Sequence, residues 1–496
     1  MITKNIKILV TVAAIFITVG CKEDFLENPP LTTITDETFP ASSNDAYLVT
    51  NAAYNTMRNW WYMGGYPLAG IMSDDQTKGS EDGSNPDLQA FESFTFGASH
   101  GYILAWYQTL FQAVRRANIV IYGIQDIAMD DAVRNQYIAE ASFIRAYTYF
   151  TLVRVFGDVP MIQTLIPERI EPRSTVSDIY DQIIIPDLLQ SIDILPEKSG
   201  QTAVDRGRVT KGAAKALLAR VYLHRGDFDN TEKYALEVIN SAQYSLDADY
   251  SRVFSVEGQF GSGSIFELAS LPEGYGQGGN QFGNTQGVRG TPNWGWGFGR
   301  PSWDYINTFE PNDPRLDASV IFLGEVLSGQ VILGNTLTTD TTRVDGAIVE
   351  IECYSQKVYV EGSTATADNF GHNRRILRYA DVLLMAAEAL NENDNPVQAL
   401  IYLNMVRERA RGGNAAILPD VTTTDKALLR SAIWQERRVE LAFENLRYYD
   451  LKRQNRMAEV LGPLGFTSGK NELLPIPQQE IDLSGGILEQ NQNYGL

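Results

Sequence analysis

The chain has 496 residues, 44% of them hydrophobic, enough for a large buried core, and 41 Lys and Arg face 61 Asp and Glu for a net charge of −20. No basic footprint is visible, so a phosphate backbone or an anionic lipid surface would be repelled, which excludes nucleic-acid binding and peripheral adhesion to acidic membranes. His100, His224 and His372 lie far apart and without metal-ligand spacing, so no zinc site is expected, and each histidine is read as a surface or satisfied core residue.

Lys4 and Lys7 precede an apolar run from Ile8 to Val19, then Gly20 and Cys21. A basic start, a short greasy segment and a small residue at the cut describe a secretory signal peptide over 1–20, because a spanning helix needs roughly 20 apolar residues. A cysteine directly after that small residue resembles a bacterial lipoprotein box, with Cys21 as the site of lipid attachment and the new first residue. The acidic residues after it, Glu23 and Asp24, resemble a tag for the outer cell face. With Cys21 acylated, Cys353 is left alone and no internal disulfide can form.

Residues 21–41 are rich in Pro, Thr and acidic residues without periodicity and read as a tether. The folded body is expected to begin near Ser42. Apolar residues then recur at helical spacing to about Tyr244, as in Ala105, Tyr107, Leu110, Phe111, Val114, Ala117 and Val120. Two segments have the form of paired helices. In one, Ala213 to Leu223 runs into the turn Gly226-Asp227-Phe228, and Tyr234 to Ile239 faces back. In the other, Val382 to Leu390 is broken by Asn391 to Asn395, and Pro396 opens a helix through Val406 that Asn395 caps. Ala139 to Phe156 offers a weaker third example. Small and large residues alternating on helix pairs suggest tetratricopeptide-like units, but the copies are too widely spaced for a continuous solenoid.

The stretch 258–373 changes character, with many glycines and three of the seven tryptophans, and reads as loops and short strands. Gly274, Gly276 and Gly279 fit G-x-G-x-x-G, yet Asn280 to Gly299 shows no helical periodicity to receive a pyrophosphate, so a dinucleotide site is rejected. Glu436, Glu440 and Glu444 stand at i, i+4 and i+8, which would place them on one helix face at glycosidase-like separation. Arg437, Arg438, Arg447 and Arg453 interleave with them, and a salt-bridge network is the expected reading. Asp74, Asp75, Glu81, Asp82 and Asp87 match no calcium loop and are read as a solvated acidic loop.

The aromatics carry the functional expectation. Trp106, Trp303 and Trp434 fall on apolar helical faces and read as core. Trp61, beside Trp60 and Tyr62, and Trp294 and Trp296, alternating with glycine, have no packing partners of their own in sequence. Exposed indole faces suit sugar rings, whose axial C–H groups lie against the electron-rich π face. The candidate ligand-binding set is therefore Trp294 and Trp296 as platforms, Trp61 and Tyr275 as further ones, and Asp75 and Arg300 as polar contacts. No catalytic residue, metal or cofactor is expected.

The run Arg378-Tyr379-Ala380-Asp381-Val382-Leu383-Leu384-Met385-Ala386-Ala387-Glu388-Ala389-Leu390, followed by Leu403-Asn404-Met405-Val406-Arg407-Glu408-Arg409-Ala410, resembles the SusD/RagB family of nutrient-binding outer-membrane lipoproteins. Cys21 to Leu26, Trp106-Tyr107, Phe143 to Pro160, Glu436 to Arg453 and Leu474-Pro475-Ile476-Pro477 agree in the same order, with Asn445 departing where the family commonly has glycine. The resemblance implies an all-α, tetratricopeptide-like scaffold over 42–257 and 374–460 within a single domain spanning 42–496. A loop-rich, ligand-binding insertion would occupy 258–373 and an irregular C-terminal segment 461–496. It also implies a non-catalytic surface protein that captures oligosaccharides for a SusC-like TonB-dependent transporter. The alternatives are an oligopeptide-binding relative, an all-α glycoside hydrolase, and an adaptor using its helix pairs as a protein-binding groove.

Overall fold

The computed structural model describes residues 39–63, 68–80, 83–165, 167, 169–271, 280–335, 341–344, 347–360 and 371–495. The signal segment, Cys21, Glu81, Asp82 and Tyr275 lie outside them.

Helix α1 spans Ser43–Met57, opened by a capping box between Ser42 and Asp45. Helices α2 (Gly101–Gly123) and α3 (Asp131–Phe156) follow as an antiparallel pair. Asp130 caps α3 by accepting from the N–H groups of Ala132 and Val133. The helix then runs unbroken to Gly157, because no glycine or proline interrupts it. Ala139 to Phe156, whose pattern suggests a helix pair in itself, is a single helical stretch. It is one half of a pair whose other half is α2.

Helix α4 (Ile185–Ile194) packs on α3 and on α5 (Lys211–Arg225), which Gly226 ends in the left-handed conformation, and Asp227 caps α6 (Phe228–Asn240). The array continues through α7 (Tyr379–Glu392), α8 (Pro396–Ala410, with Asn395 as its cap) and α9 (Lys426–Leu441), then the shorter α10 (Arg447–Arg453). Contacts run α5 to α6, α6 to α7, and α7 to α8 and α9, so each helix pair buries its apolar stripe against the next, as tetratricopeptide-like units do. Helix α7 is the centre of this stack. Every residue from Tyr379 to Asn391 is buried. No helix among the described residues is long and apolar enough to cross a membrane.

Between α6 and α7 the chain leaves the helical array. Every sheet among the described residues is a two-stranded antiparallel ladder. Strand β1 (Gln76–Gly79) pairs with β3 (Phe298–Pro301), Thr77 opposite Arg300 and Gly79 opposite Phe298. Strand β2 (Ser264–Leu268) pairs with β6 (Arg374–Arg378), which leads directly into α7. Strand β4 (Val320–Phe322) pairs with β5 (Cys353–Ser355). One expectation changes here: a five-residue helix, Phe282–Gln286, interrupts the glycine-rich stretch, its first N–H held by the Asn280 side chain at 2.7 Å.

Charges inside the helical stack are paired through the core rather than along the sequence. On α7, Asp381 receives Arg220 of α5 and Arg437 of α9, both at 2.7 Å, and Glu388 receives Arg453 at 2.8 Å and the Trp434 indole N–H at 2.9 Å. On α9, Glu436 pairs with Arg315 and Arg407, and Glu440 with Arg315, Arg378 and Arg409. The glutamates thus form a salt-bridge network, but their partners are distant arginines, while the interleaved Arg437 and Arg453 serve Asp381, Asp450 and Glu388. Glu444 does not share the helix face either. The helix ends at Leu441, Phe443 takes φ +64°, and Glu444 sits in the turn that follows, bound by Arg378 and Lys357.

Burial would raise the carboxyl of Glu440, but Arg409, Arg378, Arg315 and Lys357 outweigh it and hold the pKa down to about 2. A depressed folded pKa means stability that is present above the ordinary glutamate value of 4.5 and lost as pH falls through about 2. Glu440→Gln should therefore cost roughly 3–5 kcal/mol at neutral pH by leaving buried guanidinium groups uncompensated. In chemical denaturation at a series of pH values, the gap between wild type and variant should narrow between about pH 4.5 and 2.

Candidate functional site

The frame of the site is a loop at residues 73–75 clamped by two arginines from the end of the helical array. Arg447 holds both carboxylate oxygens of Asp74 at 2.7 Å, and Arg438 reaches Asp75 and Asp304, each at 2.7 Å. From the other side Ser302 donates its hydroxyl to the Asp74 carbonyl at 2.6 Å and its N–H to the Asp75 carbonyl at 2.9 Å. Burial pushes the Asp75 carboxyl up against the pull of Arg438, whereas the double contact with Arg447 holds Asp74 down despite burial. Asp74 and Asp75 are therefore not part of a solvated acidic loop, as the sequence suggested. They are buried and committed to cations.

On this frame β1 and β3 carry the aromatic segment. The chain from Asn284 to Gly297 folds back on itself: Val288 accepts from the N–H groups of Trp294 and Gly295 at 2.8 Å, Asn284 accepts from Trp296 at 2.8 Å, and Gly287 accepts from Gly297 at 3.0 Å. So close an approach excludes a side chain. A Cβ on Gly295 would sit 2.4 Å from the Asn284 carbonyl oxygen, and one on Gly79 would sit 2.4 Å from that of Gly297. The glycines that read as loop in the sequence are what allows this tight fold.

The two platform tryptophans are half-buried and pack against different clusters. Trp294 lies on Val288, Ile321, Ile332 and Tyr354, with Tyr359 tilted against it at 5.3 Å between ring centres. Trp296 rests on the main core. Trp61, also half-buried, meets Trp60 edge-on at 4.2 Å and Tyr102 at 4.7 Å. The Trp60 indole N–H donates to Thr285 at 3.2 Å, which ties this second aromatic group to the segment holding Trp296. Tyr102 and Tyr359 join the aromatic surface without any signal in the sequence, since one lies on the first turn of α2 and the other 65 residues beyond Trp294. Only side-chain contact relates them to the tryptophans.

The other expected polar contact, Arg300, lies on β3 opposite Thr77, buried, and donates to the Ser80 carbonyl at 3.2 Å. Asp75 is 2% exposed. Both are thus buried, Asp75 against Arg438 and Arg300 against the backbone at the end of β1. The buried amide of Asn284, whose Oδ1 has no hydrogen-bond partner, lies next to Trp296 in the same fold-back. Of the tryptophans read as core, Trp106 is 1% exposed and donates to the Tyr62 carbonyl, whereas Trp303 and Trp434 are half-buried. His100 accepts from Tyr102 N–H as the cap of α2, and His372 is buried beside Arg375.

Two half-buried aromatic groups, one around Trp61 and one around Trp294 and Trp296, are thus carried by loops and short strands on an ion-paired helical array. A family model described as the SusD family matches residues 262–495, and one described as starch-binding, associating with the outer membrane, matches residues 75–223. SusD-like protein P2 of Formosa agariphila is 30% identical, over 96% of this chain and 97% of its own length. The chain belongs to the SusD family. Its helical array matches solved SusD-like folds nearly end to end. A laminarin-binding SusD-like protein superposes with a TM-score of 0.77 at 28% identity, covering 92% of this chain and all of that one. Surface glycan-binding protein A from Bacteroides thetaiotaomicron, solved in complex with laminarihexaose, superposes with a TM-score of 0.75 at 25% identity, covering 91% and 100%.

Gly295→Ala should break the fold-back while sparing the helical array, because the new methyl group meets backbone rather than a movable side chain. The expected cost is about 1–3 kcal/mol. Limited proteolysis should then cut within 284–297 while the helical circular dichroism stays unchanged, and equal loss of both signals would refute this local role.

Proposed function

We propose that this protein is a non-catalytic, lipid-anchored receptor that captures oligosaccharides at the cell exterior and delivers them to a SusC-like TonB-dependent transporter in the outer membrane. The observation that carries the reading is the set of half-buried tryptophans Trp61, Trp294 and Trp296, the last two on a segment joined to the ion-paired Asp74–Asp75 loop through β1 and β3, so that little ordering is left to do on binding. Indole faces take the C–H face of a pyranose, and neighbouring amides and phenols orient its hydroxyls. Tyr275 is proposed as a further platform on the same loop-rich stretch, and Asp75 and Arg300 as supports for the surface. The relatives that bind laminarin and laminarihexaose make a neutral glucan the first ligand to try.

The glycosidase-like spacing of Glu436 and Glu440 does not supply a general acid. A glycosidase acid must hold a proton near neutral pH. Glu440, held down to about 2, is ionised there, and Glu436 is shared by Arg315 and Arg407. Anchoring is assigned to acylated Cys21, with residues 21–41 as the tether between the membrane and α1. Several chains on one cysteine hold a protein to a bilayer durably, where a single chain holds it only marginally.

Handing over a ligand requires moderate affinity, a dissociation constant of about 10 μM to 1 mM, or roughly 4–7 kcal/mol. Titration calorimetry with laminarihexaose and a panel of other oligosaccharides should find saturable binding in that range for at least one sugar. Trp294→Ala combined with Trp296→Ala, in a protein still folded by circular dichroism, should weaken it by roughly tenfold or more. Binding of oligopeptides and no sugar would favour the peptide-binding alternative. Shortened oligosaccharides after incubation would overturn the non-catalytic reading.

A further inference from the structure

A cavity of about 630 Å³ opens where the C-terminal ends of α3 and α5 meet α10 and the C-terminal segment, on elements different from those that carry the aromatic surface. In a chain of net charge −20 its lining is rich in basic side chains: Arg154, Arg173, Arg225, Lys452 and Arg453 line it together with His224. Two of these are already neutralised, Arg225 by Asp181 and Arg453 by Glu388 and Asp450. Arg173 is occupied by the carbonyls of Asp158 and Glu489 and by the Asn491 side chain.

Arg154 and Lys452 are different. Arg154 is 8% exposed, held flat between the rings of Phe150 at 3.8 Å and Tyr449 at 4.0 Å. Its Nε donates to the Phe150 carbonyl within its own helix, and its Nη1 is buried with no hydrogen-bond partner. Lys452 donates to the Arg154 carbonyl at 2.6 Å, and among the described residues neither cation has a carboxylate within ion-pair distance. Asp158, the one carboxylate in the lining, accepts the Val176 N–H at 2.9 Å. Burial and the charge of Arg154 push the Lys452 amine down to about 7, and burial with the surrounding arginines pushes His224 down as well. Both shifts come first from burial, and the neighbouring guanidinium charges add to them. A buried, unsatisfied guanidinium N–H beside an ammonium that lacks a counter-ion is costly unless an anion completes it.

We infer that this cavity is an oxyanion-binding site, in which a sulfate, phosphate or carboxylate group accepts from the Arg154 guanidinium and Lys452 Nζ. The anion is either a free inorganic ion or the charged substituent of a sugar, for which a cavity of this volume has room. The site is independent of the aromatic surface, so neutral-glucan binding and anion binding stand or fall separately.

Calorimetric titration of the full protein with inorganic sulfate, inorganic phosphate, glucuronate and glucose 6-sulfate, at ionic strength matched with chloride, tests it. At least one should bind saturably with a dissociation constant of about 1 mM or tighter, with glucose not binding. Lys452→Met keeps the apolar stem, and Arg154→Gln keeps one donor. Each should weaken binding by roughly tenfold while laminarihexaose binding stays unchanged. Tighter binding of the sugar-borne anions would identify an acidic glycan end group, and tighter binding of the inorganic ions a free oxyanion. Absence of saturable binding of all four probes, or undiminished affinity in folded Lys452→Met, would overturn the inference.

Discussion

Ionised groups are sealed inside the helical stack, and the geometry of the whole molecule follows from the need to pair them. Glu440 is fully buried and receives Arg315, Arg378 and Arg409, while Asp381 on the central helix receives Arg220 from one side and Arg437 from the other. These pairs join elements between 31 and 161 residues apart in sequence. A buried charge stripped of its partner costs several kcal/mol, so the packing of α5, α7 and α9 admits only arrangements in which these partners meet. Apolar burial supplies most of the stabilising energy, but it is indifferent to small rotations of one helix against the next. The ion pairs are not.

That constraint reaches the aromatic surface through α9 and α10. Arg438, the next residue after Arg437 and so about 100° round α9 from it, and Arg447 at the start of α10 hold the loop of Asp74 and Asp75, and that loop places β1, which places β3. The tryptophans follow from there, in a backbone fold-back that glycine alone permits at position 295. A surface meant to receive a sugar without rearrangement needs this sort of support, because ordering flexible side chains on binding would consume much of a modest affinity.

The distribution of charge carries a second lesson. A net balance of −20 speaks for repulsion of anions at long range, yet screening confines such repulsion to about 8–10 Å at physiological ionic strength. Inside that distance the local set of cations decides. The ends of α3 and α5 present their carbonyl groups to the same place, and cations gather where helix C-termini converge. Arg154 and Lys452 satisfy two carbonyls of α3 with part of their hydrogen-bonding capacity, and both line the cavity.

The sequence alone determined the helical scaffold. The pairs at Lys211–Asn240 and Tyr379–Ala410 were legible with their caps and turns, because helix periodicity, Gly226, Asp227, Asn395 and Pro396 are local signals that act through the nearest backbone groups. Family resemblance was legible too, since it rests on residue order. The single long helix at Asp131–Phe156 was not legible as such, because periodicity marks both it and α2 as helical without saying which helix packs on which. What only the tertiary structure decided is which charged residue meets which. Asp75 and Arg300 looked available to a ligand and are held beneath the surface. Glu436 and Glu440 looked served by their helical neighbours and are served by arginines more than a hundred residues away in one case and about thirty to sixty in others. Tyr102, Tyr359 and the Arg154 cavity carried no local mark at all. Side-chain pairing across a core depends on which elements pack together, and no spacing along one element encodes that.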